Sequence, residues 1–148
     1  FKQKTAYEIY QCDWSSDVCS SDLLKKGKTK MNKLIALLFL ARDVSHREHL
    51  KTRSYAAHVA LNDFYHDIVD KADAIAEAYQ GGYDLIKDIE ILGDKTTDNI
   101  EAFLKDHVKW IDNNRYKACD KDDTAIQNLI DEAQEVYLTA LYKLRFLK

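Results

Sequence analysis

The chain has no proline and only four glycines in 148 residues. Sheet proteins need a turn signal about every 8 to 12 residues, so this shortage excludes an all-β fold. Cysteine is scarce too. Cys12, Cys19 and Cys119 are an odd number without metal-ligand spacing, which speaks against a disulfide scaffold or a zinc site. No apolar run exceeds the eight residues from Leu34 to Ala41, far short of a membrane span. A basic field is also missing: the net charge is −3, so nothing global argues for nucleic acid. No nucleophile elbow, phosphate-binding glycine loop or metalloprotease HExxH occurs, and a hydrolase is not expected.

What remains is 46% hydrophobic and 32% charged, an ordinary composition for a single globular domain. It is unevenly distributed. Residues 1–23, FKQKTAYEIYQCDWSSDVCSSDL, lack any sustained helical or alternating period. Residues 24–30, LKKGKTK, form a short basic linker, and Met31 directly precedes a strongly patterned segment. Residues 1–30 hold six lysines and four acids. Setting them aside leaves 16 Lys/Arg and 21 Asp/Glu in residues 31–148, a net charge of −5. We therefore expect residues 1–30 to be a non-native or disordered extension and 31–148 to form the domain.

From Met31 onward the period is helical. A first helix is expected over about residues 32–51, with Leu34, Leu37, Leu38, Ala41 and Val44 on one face. Ser54 is placed to cap a second helix, about 55–80, which Gly81-Gly82 should stop. Its apolar stripe is Leu61, Phe64, Tyr65, Ile68, Ala72, Ile75 and Tyr79. After a connection at 83–95, Thr96, Thr97 or Asp98 should cap a third helix carrying Ile100, Phe103, Leu104, His107, Val108 and Ile111. A fourth is expected over about 124–146. The long second connection, between two short ones, predicts an all-α, ferritin-like four-helix bundle with one long crossover from the second helix to the third.

The second helix carries a polar stripe beside its core face. His58, Asn62, Asp73 and Glu77 fall within an arc of about 100°, with His66 inside it. Imidazole and carboxylate along a rigid helix suit a hard or borderline metal such as iron. The first helix adds His46 and His49 near its end. Asp73 and Glu77 also read as an ordinary solvated i, i+4 pair, and His58 as a helix-start residue. His66 reads as surface or as an outer neighbour of the site, and His107 as a partly buried packing histidine. Tyr55, Phe64, Tyr65, Tyr79, Trp110 and Tyr137 read as core or subunit contact.

His46, His58, Asp73 and Glu77 reproduce the spacing H-x11-H-x3-[D]-x10-D-x3-E, which resembles the ferroxidase pattern of Dps-type miniferritins. The run LNDFYHDIVDKADAIAEAYQGG is similar to that family's second helix. The segment from His49 to Tyr83 looks closer still to small, uncharacterised Dps-like proteins often encoded by phages. Residues 1–23 resemble something different, translated sequencing-adapter read-through.

There are departures. Asn62 stands where the family has a carboxylate, Leu50 or Arg47 where it has tryptophan, and either His46 or His49 can be aligned as the first-helix ligand. The resemblance implies iron bound between two subunits, with His46 or His49 and His58 of one chain meeting Asp73 and Glu77 of another. The pattern of residues agrees, because a di-iron site within one bundle wants Glu-x-x-His on two helices and this chain has none. The implied protein is a bacterial or phage-borne cytoplasmic homo-oligomer, a dimer at minimum and by resemblance a twelve-subunit shell. It would oxidise Fe2+ for storage or oxidative protection. Non-specific DNA binding is the weakest expectation and membrane association is not expected. The alternative is a non-enzymatic oligomeric bundle whose metal site has decayed.

Overall fold

The computed structural model describes residues 23–93 and 97–147. Four helices and no strand are found among these residues: α1 (Leu23–Lys51), α2 (Tyr55–Gly82), α3 (Ile100–Ala118) and α4 (Thr124–Phe146). Residues 1–22, with Cys12 and Cys19, lie outside the described part. The basic segment expected to be a linker is helical and continuous with α1 from Leu23 onward. Leu, Lys and Thr there carry no breaker except Gly27, and one glycine costs only about 1 kcal/mol inside a helix.

Four ends have a visible local cause, and two of them differ from expectation. Ser54 caps α2 as predicted, its hydroxyl accepting from the Ala57 amide at 3.3 Å. Gly81 and Gly82 do not stop α2. They form its last two residues with ordinary negative φ, and the helix ends at Tyr83, whose amide still bonds the Tyr79 carbonyl. The cap of α3 is Asn99, whose side-chain oxygen accepts from the Ala102 amide at 3.0 Å. It wins over Thr97 and Asp98 because an Asx side chain one residue before the helix reaches the third amide. Thr96 lies outside the described residues. Asp123 caps α4.

The helices form a four-membered ring in the order α1, α2, α4, α3, with every neighbouring pair in contact. The polar contacts give the directions. His49 meets His58 across the α1–α2 turn, Lys143 meets Asp63 and Lys71 meets Glu132 between α2 and α4, and Arg145 meets Glu101 between α4 and α3. All neighbours are thus antiparallel, so α2 and α3 run parallel on the diagonal. The connection from Gly82 to Ile100 returns to the end of the bundle where α2 began. Asn32 tethers it through the Asp88 carbonyl.

The core runs from Met31 through Leu34, Leu38, Phe64, Ile68, Ile75, Leu104, Ile111, Ile130 and Tyr137, all essentially solvent-free. The Phe64 ring meets Tyr137 edge to face at 4.9 Å. His107 is fully buried, not partly, because it faces this core with its Nδ1 3.2 Å from the Tyr137 hydroxyl. Tyr55, expected as core or subunit contact, is 82% exposed in the single chain. It is the first residue of α2, ahead of the first core position.

A buried charge fixes the α3–α4 corner. The Arg115 guanidinium donates to the Gln127 side chain and carbonyl, both at 2.8 Å, to Gln134 at 2.8 Å, and to Asp131. Gln127 in turn donates to the carbonyls of Cys119 and Asp120, and Gln134 to Asp112. Each nitrogen of this buried head has a partner, four hydrogen bonds in all, which makes its burial tolerable. Arg115→Ala is expected to lower unfolding free energy by about 2–3 kcal/mol, since Gln127 would be left buried with its acceptors unmet. Urea denaturation followed by circular dichroism measures this. A change below about 0.5 kcal/mol, the ordinary range for surface substitutions, would show the network to be decoration.

Candidate metal-ligating face at the turn between α1 and α2

The expected ligand set resolves into two separate places. Its three histidines gather where α1 hands over to α2. A three-residue link, Thr52 to Ser54, forces the last turn of α1 against the first turn of α2. His49 and His58 then stack at a centroid distance of 3.7 Å, with ring planes 25° apart. Their hydrogen bonds are reciprocal. His49 Nδ1 lies 2.9 Å from the His58 carbonyl oxygen, and His58 Nδ1 lies 3.1 Å from the His49 carbonyl oxygen. A carbonyl oxygen only accepts, so both Nδ1 atoms carry hydrogen. In the neutral rings both Nε2 atoms therefore keep a lone pair, the orientation used by metal-binding histidines.

His49 is 8% exposed, while His46 and His58 are exposed. His46 stacks on Tyr65 at 4.2 Å, and Tyr65 also touches His49 at 5.4 Å and His66 at 4.4 Å. Its hydroxyl donates to Asn62 Oδ1 at 3.1 Å. Tyr65 is thus the hub of the imidazole cluster, a role its place on the apolar stripe concealed. The signal was its spacing, seven residues after His58 and three after Asn62, which returns it to the α1 side of α2.

Asp73 and Glu77 are elsewhere. Fifteen residues of helix separate His58 from Asp73, about 22 Å at the α-helical rise. Asp73 borders a groove of about 540 Å³ between α1, α2 and the long connection. Phe39, Leu40, Val69, Ile89 and Leu92 supply its apolar wall, with Arg42, Asp43 and Glu90 also around it. Asp73 and Glu77 are both exposed, and no ion pair engages either among the described residues. By contrast Asp63, on the α4 side, is held below the usual carboxylate range by the Lys143 ammonium bonded to it at 2.7 Å.

The residues predicted together are therefore brought together only in part. His46, His49, His58, Asn62 and His66 share one neighbourhood with Tyr65. Asp73 and Glu77 stand about two to three turns beyond His66 and about four to five beyond His58 on the same helix. Among the described residues, no group of three or more His, Cys, Asp or Glu side chains within one chain is arranged to hold a metal ion.

At the far end Cys119 is a buried free thiol 3.7 Å from the Tyr83 hydroxyl, which also donates to Asp123 at 3.0 Å. Burial raises the Cys119 pKa, and the Cys119 and Asp123 contacts raise that of Tyr83, so both stay protonated at neutral pH. No described helix is long and apolar enough to cross a membrane.

Residues 49–144 match a family described as a family of unknown function (DUF5856). The chain is also 30% identical, over 134 residues, to an uncharacterized 14.6 kDa protein in the mobD-ri intergenic region of Enterobacteria phage T4. That alignment covers 84% of this chain and 95% of the phage protein. No solved structure matches.

Proposed function

The chain belongs to the family of unknown function DUF5856, and we propose that it is a Dps-like, ferritin-like protein that oxidises Fe2+ between two subunits. The observation that carries the proposal is the split of one ligand set into two incomplete halves at different heights along α2. One half offers the His58 Nε2 atom, oriented by His49, and the exposed His46 ring of α1 beside it. The other offers the unpaired carboxylates Asp73 and Glu77. Neither half can hold iron alone, and a rigid helix cannot bend to join them across about 22 Å. Two chains related by a twofold axis would bring the halves together twice.

In this reading Fe2+ is the substrate. Asp73 and Glu77 ligate or bridge it and provide the anionic charge that favours the ferric state. His58 and His46 complete the shell from the neighbouring chain, since imidazole and carboxylate are both suited to iron. Of the two alternatives for α1, the exposed His46 is the ligand and the buried His49 the residue that holds His58 in its tautomer. His66 lies beside this face.

A second reading has one observation in its favour. Asn62 is half-buried and its oxygen is already engaged by Tyr65, so it leaves a neutral side chain where a carboxylate would serve. On that reading the bundle is an oligomeric interaction protein without metal chemistry. Anaerobic addition of Fe2+ followed by air separates the two. Saturable binding and rapid growth of ferric absorbance above the buffer rate are expected; oxidation no faster than buffer would leave the structural reading.

A further inference from the structure

We propose that a second copy of this chain packs antiparallel along the solvent face of α2, about a twofold axis beside His66. The pairing deepens the intersubunit reading and rests on it for the requirement that two chains meet. Its geometry comes from how charge is laid out on this one helix.

Tyr55, Val59, Asn62, His66, Asp70, Asp73 and Glu77 fall within an arc of about 80° on α2. The helix touches α1 on one flank of this arc and α4 on the other, and the arc itself faces outward. Its first half is apolar or neutral, with Tyr55 82% and Val59 38% exposed, an unusual surface for a helix start. Its second half is acidic. Just before the helix stands Arg53, exposed and engaged in no ion pair among the described residues. A parallel partner would stack acid on acid. An antiparallel partner turned about His66 sets Asn62 opposite Asp70, Val59 opposite Asp73 and Tyr55 opposite Glu77.

That register leaves no like charges facing one another, and it brings Arg53 within side-chain reach of the partner's Glu77. It also gives Asn62 a use. Tyr65 engages its oxygen and Asp63 accepts from its amide, so one amide N–H remains that a partner could use. An amide donor opposite the carboxylate of Asp70 is favourable where a second carboxylate would repel it. The same register lays His58, next to Val59, against Asp73, so the pairing that satisfies the charges also joins the two ligand halves.

The test uses the full chain with Cys12→Ser and Cys19→Ser, which leaves the buried Cys119 as the sole native thiol. His66→Cys places a thiol beside the axis, and Asn113→Cys, exposed on α3, is the control. Mild copper-phenanthroline oxidation should convert most of the His66→Cys protein to a disulfide-linked dimer and little of the control. Separately, Arg53→Glu and Glu77→Arg should each weaken dimerisation about tenfold or more in sedimentation equilibrium, because each creates two like-charge contacts per dimer, and the double variant should restore it. A monomer at micromolar concentration, equal cross-linking at both positions, or no rescue by the double variant would overturn the pairing. Iron oxidation by a dimer that does not cross-link through position 66 would overturn this axis and leave the iron reading standing. Cross-linking without oxidation would do the reverse.

Discussion

Asp73→Asn and Glu77→Gln are each expected to reduce Fe2+ oxidation at least tenfold while leaving the bundle as stable as before or slightly more so. Both side chains are exposed, so neither substitution opens a cavity or strands a buried group. The two carboxylates are i, i+4 neighbours of like sign, a pair that costs a few tenths of a kcal/mol on a helix surface, and neutralising one removes that cost. Loss of one charged ligand from a site with few of them weakens both iron affinity and the preference for the ferric product. Stopped-flow absorbance after mixing with Fe2+ and air measures the rate, and thermal unfolding measures the stability. Asn62→Asp is the companion: if that position borders a working site, the added carboxylate should tighten Fe2+ binding. Unchanged rates in both neutral variants would mean that the acidic half is only a solvated face.

The second large effect is a dependence of stability on pH that originates far from this face. His107 is 1% exposed, and burial alone pushes its pKa down to about 3. In the unfolded chain the same imidazole titrates near the ordinary histidine value of 6.5. Above that pH both states are neutral and the residue contributes no slope. Below it the unfolded chain takes up a proton that the native chain refuses, so stability falls as pH falls. The slope approaches about 1.4 kcal/mol per pH unit and persists until roughly the native pKa, a total above about 4 kcal/mol. Urea denaturation at pH 7.5 and at 4.5 should therefore differ by about 2–3 kcal/mol more in the native chain than in His107→Gln, which does not titrate. Equal differences in the two proteins would mean that the buried imidazole is protonated in place.

Sequence by itself determined the helices and their number. The absence of proline, the spacing of Leu, Ile and Phe, and the breaks at Thr52–Ser54 and Cys119–Asp123 are local facts, and helix formation answers to local facts. It went wrong where two local signals competed. Gly81-Gly82 looked like a stop, yet glycine ends a helix only where the chain needs a left-handed turn, and here the turn comes at Tyr83 with ordinary φ. Thr96, Thr97 and Asp98 were the expected caps of α3, and the register of its first turn puts Asn99 there instead.

The candidate site was half legible. Periodicity along α2 groups His58, Asn62, His66, Asp73 and Glu77 on one side, because angle around a helix follows from residue number alone. Their separation along the axis was equally implicit in the numbering, but only the fold gives it consequence, since no other described element brings the acidic end back to the histidines. Two further features needed the tertiary structure. The reciprocal bonds between His49 and His58 depend on how tightly the α1–α2 turn closes, and the choice between the two histidines of α1 depends on which one that closure buries. The central place of Tyr65 likewise follows from packing between helices. Residue type and spacing decide which chemistry a helix face offers; which groups reach one another is decided by how the helices meet.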